Sequence, residues 1–242
     1  MDLLSYSLVD LVPFSRETYF RLFERYNIGV WPAPIIGLAM GLTALVTARR
    51  ADGWMLRAPF LLTAACWAWV GWVFQIQWYA PLSWPGIYFG IGFVLQGVLM
   101  AVVLGWGPIV GSEATDRDPG PGLWILLFAL ALQPLLGLLS GRPWYGLEVF
   151  GSAPDPTVVA TLGFLLLVRH PLRWLLSIIP LAWCLISGVT LWVLGVSSWP
   201  AIPLAAALYL GVVAWSWVSG RSRLKGRKVN SGRGSTEHTS SE

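Results

Sequence analysis

The chain has 242 residues, 56% hydrophobic and only 12% charged, with a formal net charge of +4 and a mean hydropathy of +0.64. A soluble domain carries about 25% charged residues. Half that share, gathered at the ends and in a few connections, is what a bilayer solvent selects, and it leaves no hydrophilic stretch long enough for a separate soluble domain. Sixteen tryptophans fit the same solvent, since Trp favours the membrane interface. Cys66 and Cys184 each sit inside an apolar run and read as small buried hydrophobes, with neither a disulfide nor a metal role.

Residues 1–27 form a polar and aromatic N-terminal segment without the basic-then-apolar order of a signal peptide. Ser15 is a candidate N-cap, and Tyr19, Leu22, Phe23 and Tyr26 recur at helical spacing with Arg21, Glu24 and Arg25 on other faces. This predicts an amphipathic helix lying in the interface plane or packed on the rest of the chain. Apolar segments follow near 28–48, 58–78, 85–106, 121–139, 155–168, 174–196 and 200–218. Crossing the hydrocarbon takes about 20 apolar residues. The fifth segment is short, so it either spans with help from its flanks or dips in and returns.

The expected fold is therefore all-α: a polytopic transmembrane bundle of seven helices, or of six plus a re-entrant segment, over residues 28–218. Trp31-Pro32, Trp84-Pro85 and Trp199-Pro200 each open a helix, and only seven spans put all three on one face. With seven spans, four cationic residues (Arg16, Arg21, Arg25, Arg142) share the N-terminal side and twelve the other; removing the fifth span reverses the tally. Both arrangements place the C-terminus in the cytoplasm. Residues 219–242, with Arg221, Arg223, Lys225, Arg227, Lys228 and Arg233 among Ser and Gly, read as a disordered basic tail that contacts anionic lipid rather than nucleic acid.

The stretch richest in chemistry is 141–157, between two apolar segments. Arg142 is its only cation, and Glu148 and Asp155 are its only acids. Asp155, between Pro154 and Pro156, reads as a cap for the fifth segment. Glu148 reads as an ion-pair partner for Arg142 or an N-terminal arginine, or as an acid or base in a pocket. Trp69, Trp72 and Gln75 at i, i+3 spacing form either a ligand-cradling face or lipid-facing bulk. Gln96 and Gln133 either bond across helices or line a polar cavity. Gly37-x-x-x-Gly41 and Gly86-x-x-x-Gly90 read as close helix packing. Gly105–Gly111 lacks the spacing of a phosphate loop, and His170 and His238 make no catalytic triad.

Pro13-Phe14-Ser15, Tyr26-Asn27 followed by Trp31-Pro32, Gly141-Arg142-Pro143-Trp144, Val149-Phe150-Gly151, Ala153-Pro154-Asp155-Pro156-Thr157 and Trp183-Cys184-Leu185-Ile186-Ser187-Gly188 together resemble a bacterial family of multi-pass membrane proteins described as a domain of unknown function. The likeness covers residues about 8–218. It implies an integral membrane location and supports no site residue; some members carry the label permease.

The leading functional expectation is a permease-like or small-ligand-receiving protein of the bacterial inner membrane, with an extracytoplasmic N-terminus. Its site would draw on Arg142, Trp144, Glu148, Asp155, Gln77, Trp78, Gln96 and Gln133, with no cofactor and no metal. The alternatives are a non-catalytic partner of another membrane protein and, third, a membrane enzyme using Glu148 and Asp155.

Overall fold

Long apolar runs without water must satisfy their backbone internally, and helices do so within each segment. A computed structural model describes residues 12–47, 57–106, 110–111 and 120–234, and among them eight helices. They are α1 (Arg16–Gly29), α2 (Ala33–Thr47), α3 (Ala58–Tyr79), α4 (Gly86–Trp106), α5 (Gly120–Leu139), α6 (Pro154–Leu166), α7 (Arg173–Val193) and α8 (Ala201–Gly234). Five, α3, α4, α5, α7 and α8, are long and apolar enough to cross a membrane. The segment near 28–48 yields an α2 of only 15 residues, bent 89° from α1. All three Trp-Pro pairs stand where expected, directly before α2, α4 and α8.

Exposure is inverted relative to a water-soluble protein. Leu95, Val98, Ile178, Leu185, Leu204 and Leu208 face outward, while Thr63, Gln75, Gln96, Thr157, Thr161 and Ser187 are buried. The centre belongs to α6. Every residue from Pro154 to Leu165 is buried, although the helix has only 13 residues. It packs against α3, α5, α7 and α8. At about 1.5 Å per residue it is ~20 Å long, short of the ~30 Å hydrocarbon layer.

The two ends of the bundle are identifiable from contacts. Val110–Gly111 pairs antiparallel with Val168–Arg169, joining the α4–α5 connection to the α6–α7 connection at one end. A Cβ on Gly122, near the start of α5, would meet Leu167 at 2.9 Å. A Cβ on Gly137, near the α5 end, would meet Leu147 at 2.9 Å. The 141–153 loop thus lies at the opposite end, and α6 runs from it back towards the first. Its missing length is supplied by the loop, which turns inward over Leu147–Ala153 with Phe150, Gly151 and Ser152 all buried. Non-helical backbone at such depth is tolerated when protein surrounds it.

The glycine pairs serve this packing. Gly37 meets the Phe150 carbonyl, Gly41 meets the Phe150 and Leu130 side chains, and Gly90 faces Gly71 and Ile76 of α3. Two of the long helices carry internal prolines. Pro134 cannot donate to the carbonyl four residues back, and just before it the ladder of α5 widens to i→i+5 over Phe128–Leu132. Pro180 in α7 likewise orphans Leu176 O, and Gln96 from α4 donates to that carbonyl at 2.9 Å.

Two expectations change. α3 widens to i→i+5 over Val70–Tyr79, altering the angle per residue, so Trp69 and Trp72 face outward while Gln75 is buried. They share no face. The helix α8 is drawn as far as Gly234. Asp155 does not cap α6, as described below. Arg49, Arg50 and Arg117 of the charge tally lie outside the described residues, as do 235–242.

Candidate functional site

The loop 141–153 is built on α1. Ser15 caps that helix, its hydroxyl accepting from Thr18 N at 3.2 Å. The face carrying Tyr19, Leu22, Phe23 and Tyr26 is buried, as its spacing requires. Phe23 and Tyr26 pack on Phe74 of α3, and Trp69 Nε1 donates to Tyr26 Oη at 3.0 Å. So α1 is packed on the bundle, the second of the two placements expected. Asn27, at its end, donates through Nδ2 to Tyr145 O (2.8 Å) and Leu147 O (2.9 Å), holding the loop backbone.

On this base the loop closes upon itself. Gly141 and Gly151 take φ of +81° and +79°, the left-handed region that glycine enters freely. Arg142 Nη1 donates to Glu148 Oε1 at 2.8 Å, and its Nη2 donates to Gly146 O. The guanidinium rests over Phe20, 4.3 Å from the ring centroid. The pair is mostly buried, with 14% and 10% of the two side chains exposed. The sequence reading of Glu148 as a partner for Arg142 therefore matches the geometry.

Asp155 stands in the first turn of α6. The N-cap position is Ala153, without a side-chain cap, and Thr157 Oγ1 accepts from Gly151 N of the preceding loop at 2.9 Å. The Asp155 carboxylate turns to α7, accepting from Trp183 Nε1 (2.8 Å) and Ser187 Oγ (2.7 Å). Trp183 is itself held edge-on by Phe89 and Phe93 of α4. A residue read as a local cap is a long-range tie, because both of its carboxylate oxygens are engaged by donors on α7.

Arg142, Glu148 and Asp155 converge on a cavity of about 130 Å³. Gln133 of α5 lies on its wall, Ser197, Ser198 and Ala201 close it from the α7–α8 turn, and Arg16 stands at its exposed edge. A smaller cavity of about 20 Å³ lies beyond Trp183 and Ser187 and contains the buried Gln75. Asp155, tied to both Trp183 and Ser187, divides the two.

Of the eight residues singled out in the sequence, four meet at the larger cavity: Arg142, Glu148, Asp155 and Gln133. The others lie apart. Trp144 is 64% exposed and packs edge-on with Trp31. Gln77 faces outward, Trp78 packs on Tyr26, and Gln96 bridges α4 to α7. Residues that the sequence did not single out for this site are Phe20, Asn27, Trp183 and the Ser197–Ser198 turn. Their contributions depend on helices meeting in space. Among the described residues no group of three or more His, Cys, Asp or Glu could hold a metal.

Residues 16–224 match a family model described as a family of unknown function (DUF6064). No curated protein and no solved structure matches the chain.

Proposed function

The chain belongs to DUF6064, and on that premise we propose that it is an integral membrane protein which receives a small polar ligand in the cavity at the start of α6, in the manner of a permease. The observation that carries this is a charged cavity, lined by Arg142, Glu148 and Asp155, inside a bundle whose outer surface is apolar. Ionisable groups within an apolar bundle are costly and mark ligand or ion sites. Arg16, Arg21, Arg25 and Arg142 belong to the cavity end, whereas Arg57, Arg169 and Arg173 belong to the other, where α8 and its basic extension emerge. The positive-inside rule then orients the cavity away from the cytoplasm, in a bacterial inner membrane, with the basic C-terminal segment against anionic lipid.

The test is a screen of small polar solutes in cells lacking the chain. Native protein restores uptake of, or sensitivity to, the responsive solute, while Ala201→Trp, which fills the cavity from its wall, does not. Equal restoration by both sinks the proposal.

A second reading, a membrane assembly partner, rests on the exposed Trp31–Trp144 pair at the cavity end. The glycine faces that would also serve it are occupied within the bundle. A stoichiometric protein co-purifying in mild detergent, and lost on Trp144→Ala, would favour it.

A further inference from the structure

Two acceptors that line this cavity, Asp155 and Gln133 Oε1, stand apart from the rest. Arg142 and Glu148 offset each other at 2.8 Å. Arg142 Nε has no hydrogen-bond partner, but the guanidinium rests on the π-face of Phe20 at 4.3 Å, which stands in for an acceptor. Arg16 is exposed at the edge and lies 5.7 Å from the same ring. Asp155 differs from Glu148: only 2% of it is exposed, and the groups that hold its carboxylate are the neutral Trp183 Nε1 and Ser187 Oγ. A carboxylate offers about four lone-pair sites, so the two bonds leave acceptor capacity unused. Gln133, on the same wall, adds another acceptor. Its Oε1 is enclosed and has no partner among the described residues. A buried acceptor without a donor is unfavourable, and a buried charge without a counter-charge is more so. Both deficits call for N–H donors, and Asp155 calls in addition for positive charge.

From this we infer that the ligand is a small cation bearing N–H groups, an amidinium or a primary ammonium, with Asp155 as its counter-ion and Gln133 Oε1 as the second acceptor. This rests on the reading that the cavity receives a ligand. The cavity of about 130 Å³ limits the bound group: at ~30 Å³ per water it replaces roughly four waters. The Arg142–Glu148 ion pair also lines the cavity and adds no net charge.

The experiment uses acetamidinium, acetamide and acetate, which share one shape and differ in charge. Full-length protein in detergent is titrated with acetamidinium chloride, acetamide or choline acetate. Ionic strength is matched with choline chloride, whose cation has no N–H donor. Acetamidinium is expected to bind about ten-fold tighter than either analogue, equivalent to ~1.4 kcal/mol. Asp155→Asn removes that preference for acetamidinium over acetamide. Gln133→Leu weakens acetamidinium by roughly three-fold. If acetamide or acetate binds as well as acetamidinium, the cavity reading stands and the cation assignment is overturned. Binding by none of the three removes both. Should Asp155→Asn fail to fold, the ranking on native protein and the Gln133→Leu titration decide: an unchanged acetamidinium affinity in Gln133→Leu overturns the assignment.

Discussion

Arg142 and Asp155 show how far a residue's neighbourhood can be read from the chain itself. Arg142 and Glu148 are six residues apart in one turn-rich loop, so their pairing was accessible to the sequence. Asp155 was not, because its donors lie 28 and 32 residues downstream on another helix. The role of Asn27 was hidden for a similar reason, since it acts 118 and 120 residues away. Its role predicts that Asn27→Ala leaves two loop carbonyls without a donor, at about 1–3 kcal/mol, seen as a lower unfolding temperature in detergent. For the ion pair, breaking one side leaves a buried charge. Glu148→Ala should therefore lower the unfolding temperature more than the double variant Arg142→Met with Glu148→Ala. A double variant that is the less stable of the two would mean that the pair is held by its surroundings rather than by its charges.

Helices α4 and α7 are joined by an exchange that hydropathy cannot show. Pro180 takes away the donor for Leu176 O, and Gln96 returns it from the neighbouring helix. Gln96→Leu should cost about 1–3 kcal/mol. Adding Pro180→Ala should recover part of it, because alanine supplies the intrahelical N–H; thermal unfolding of the four-member cycle measures the coupling, and strict additivity would refute the exchange. Hydropathy did locate every apolar segment, and the period of α1 gave its buried face. It could not show that α3 and α5 widen, nor that Leu147–Ala153 folds inward to lengthen α6. The small residues carry that packing. Gly37→Val would drive a side chain into the Phe150 carbonyl and should abolish folding, whereas Ile36→Val, one residue away on the exposed face, should leave the yield of folded protein unchanged.

At the scale of the whole molecule, the strand pairing at Val110–Arg169 and the loop at 141–153 put the two ends of α6 at opposite ends of the bundle. Ser140 and Leu172 are both exposed, one at each end. Ser140→Cys and Leu172→Cys should therefore react with an impermeant maleimide from opposite sides of intact and inverted vesicles. Labelling from one side alone would mean that α6 dips and returns. The sequence left this choice open because a segment of this length and composition is short for either route.

The buried position of α6 also bears on how the chain is made. A helix of 13 residues, enclosed over nearly its whole length, depends on its neighbours for its surroundings. It leaves the ribosome after α2–α5 and before α7 and α8, two of the helices that enclose it. Until those two are made, the shell around this helix is incomplete on the sides they cover.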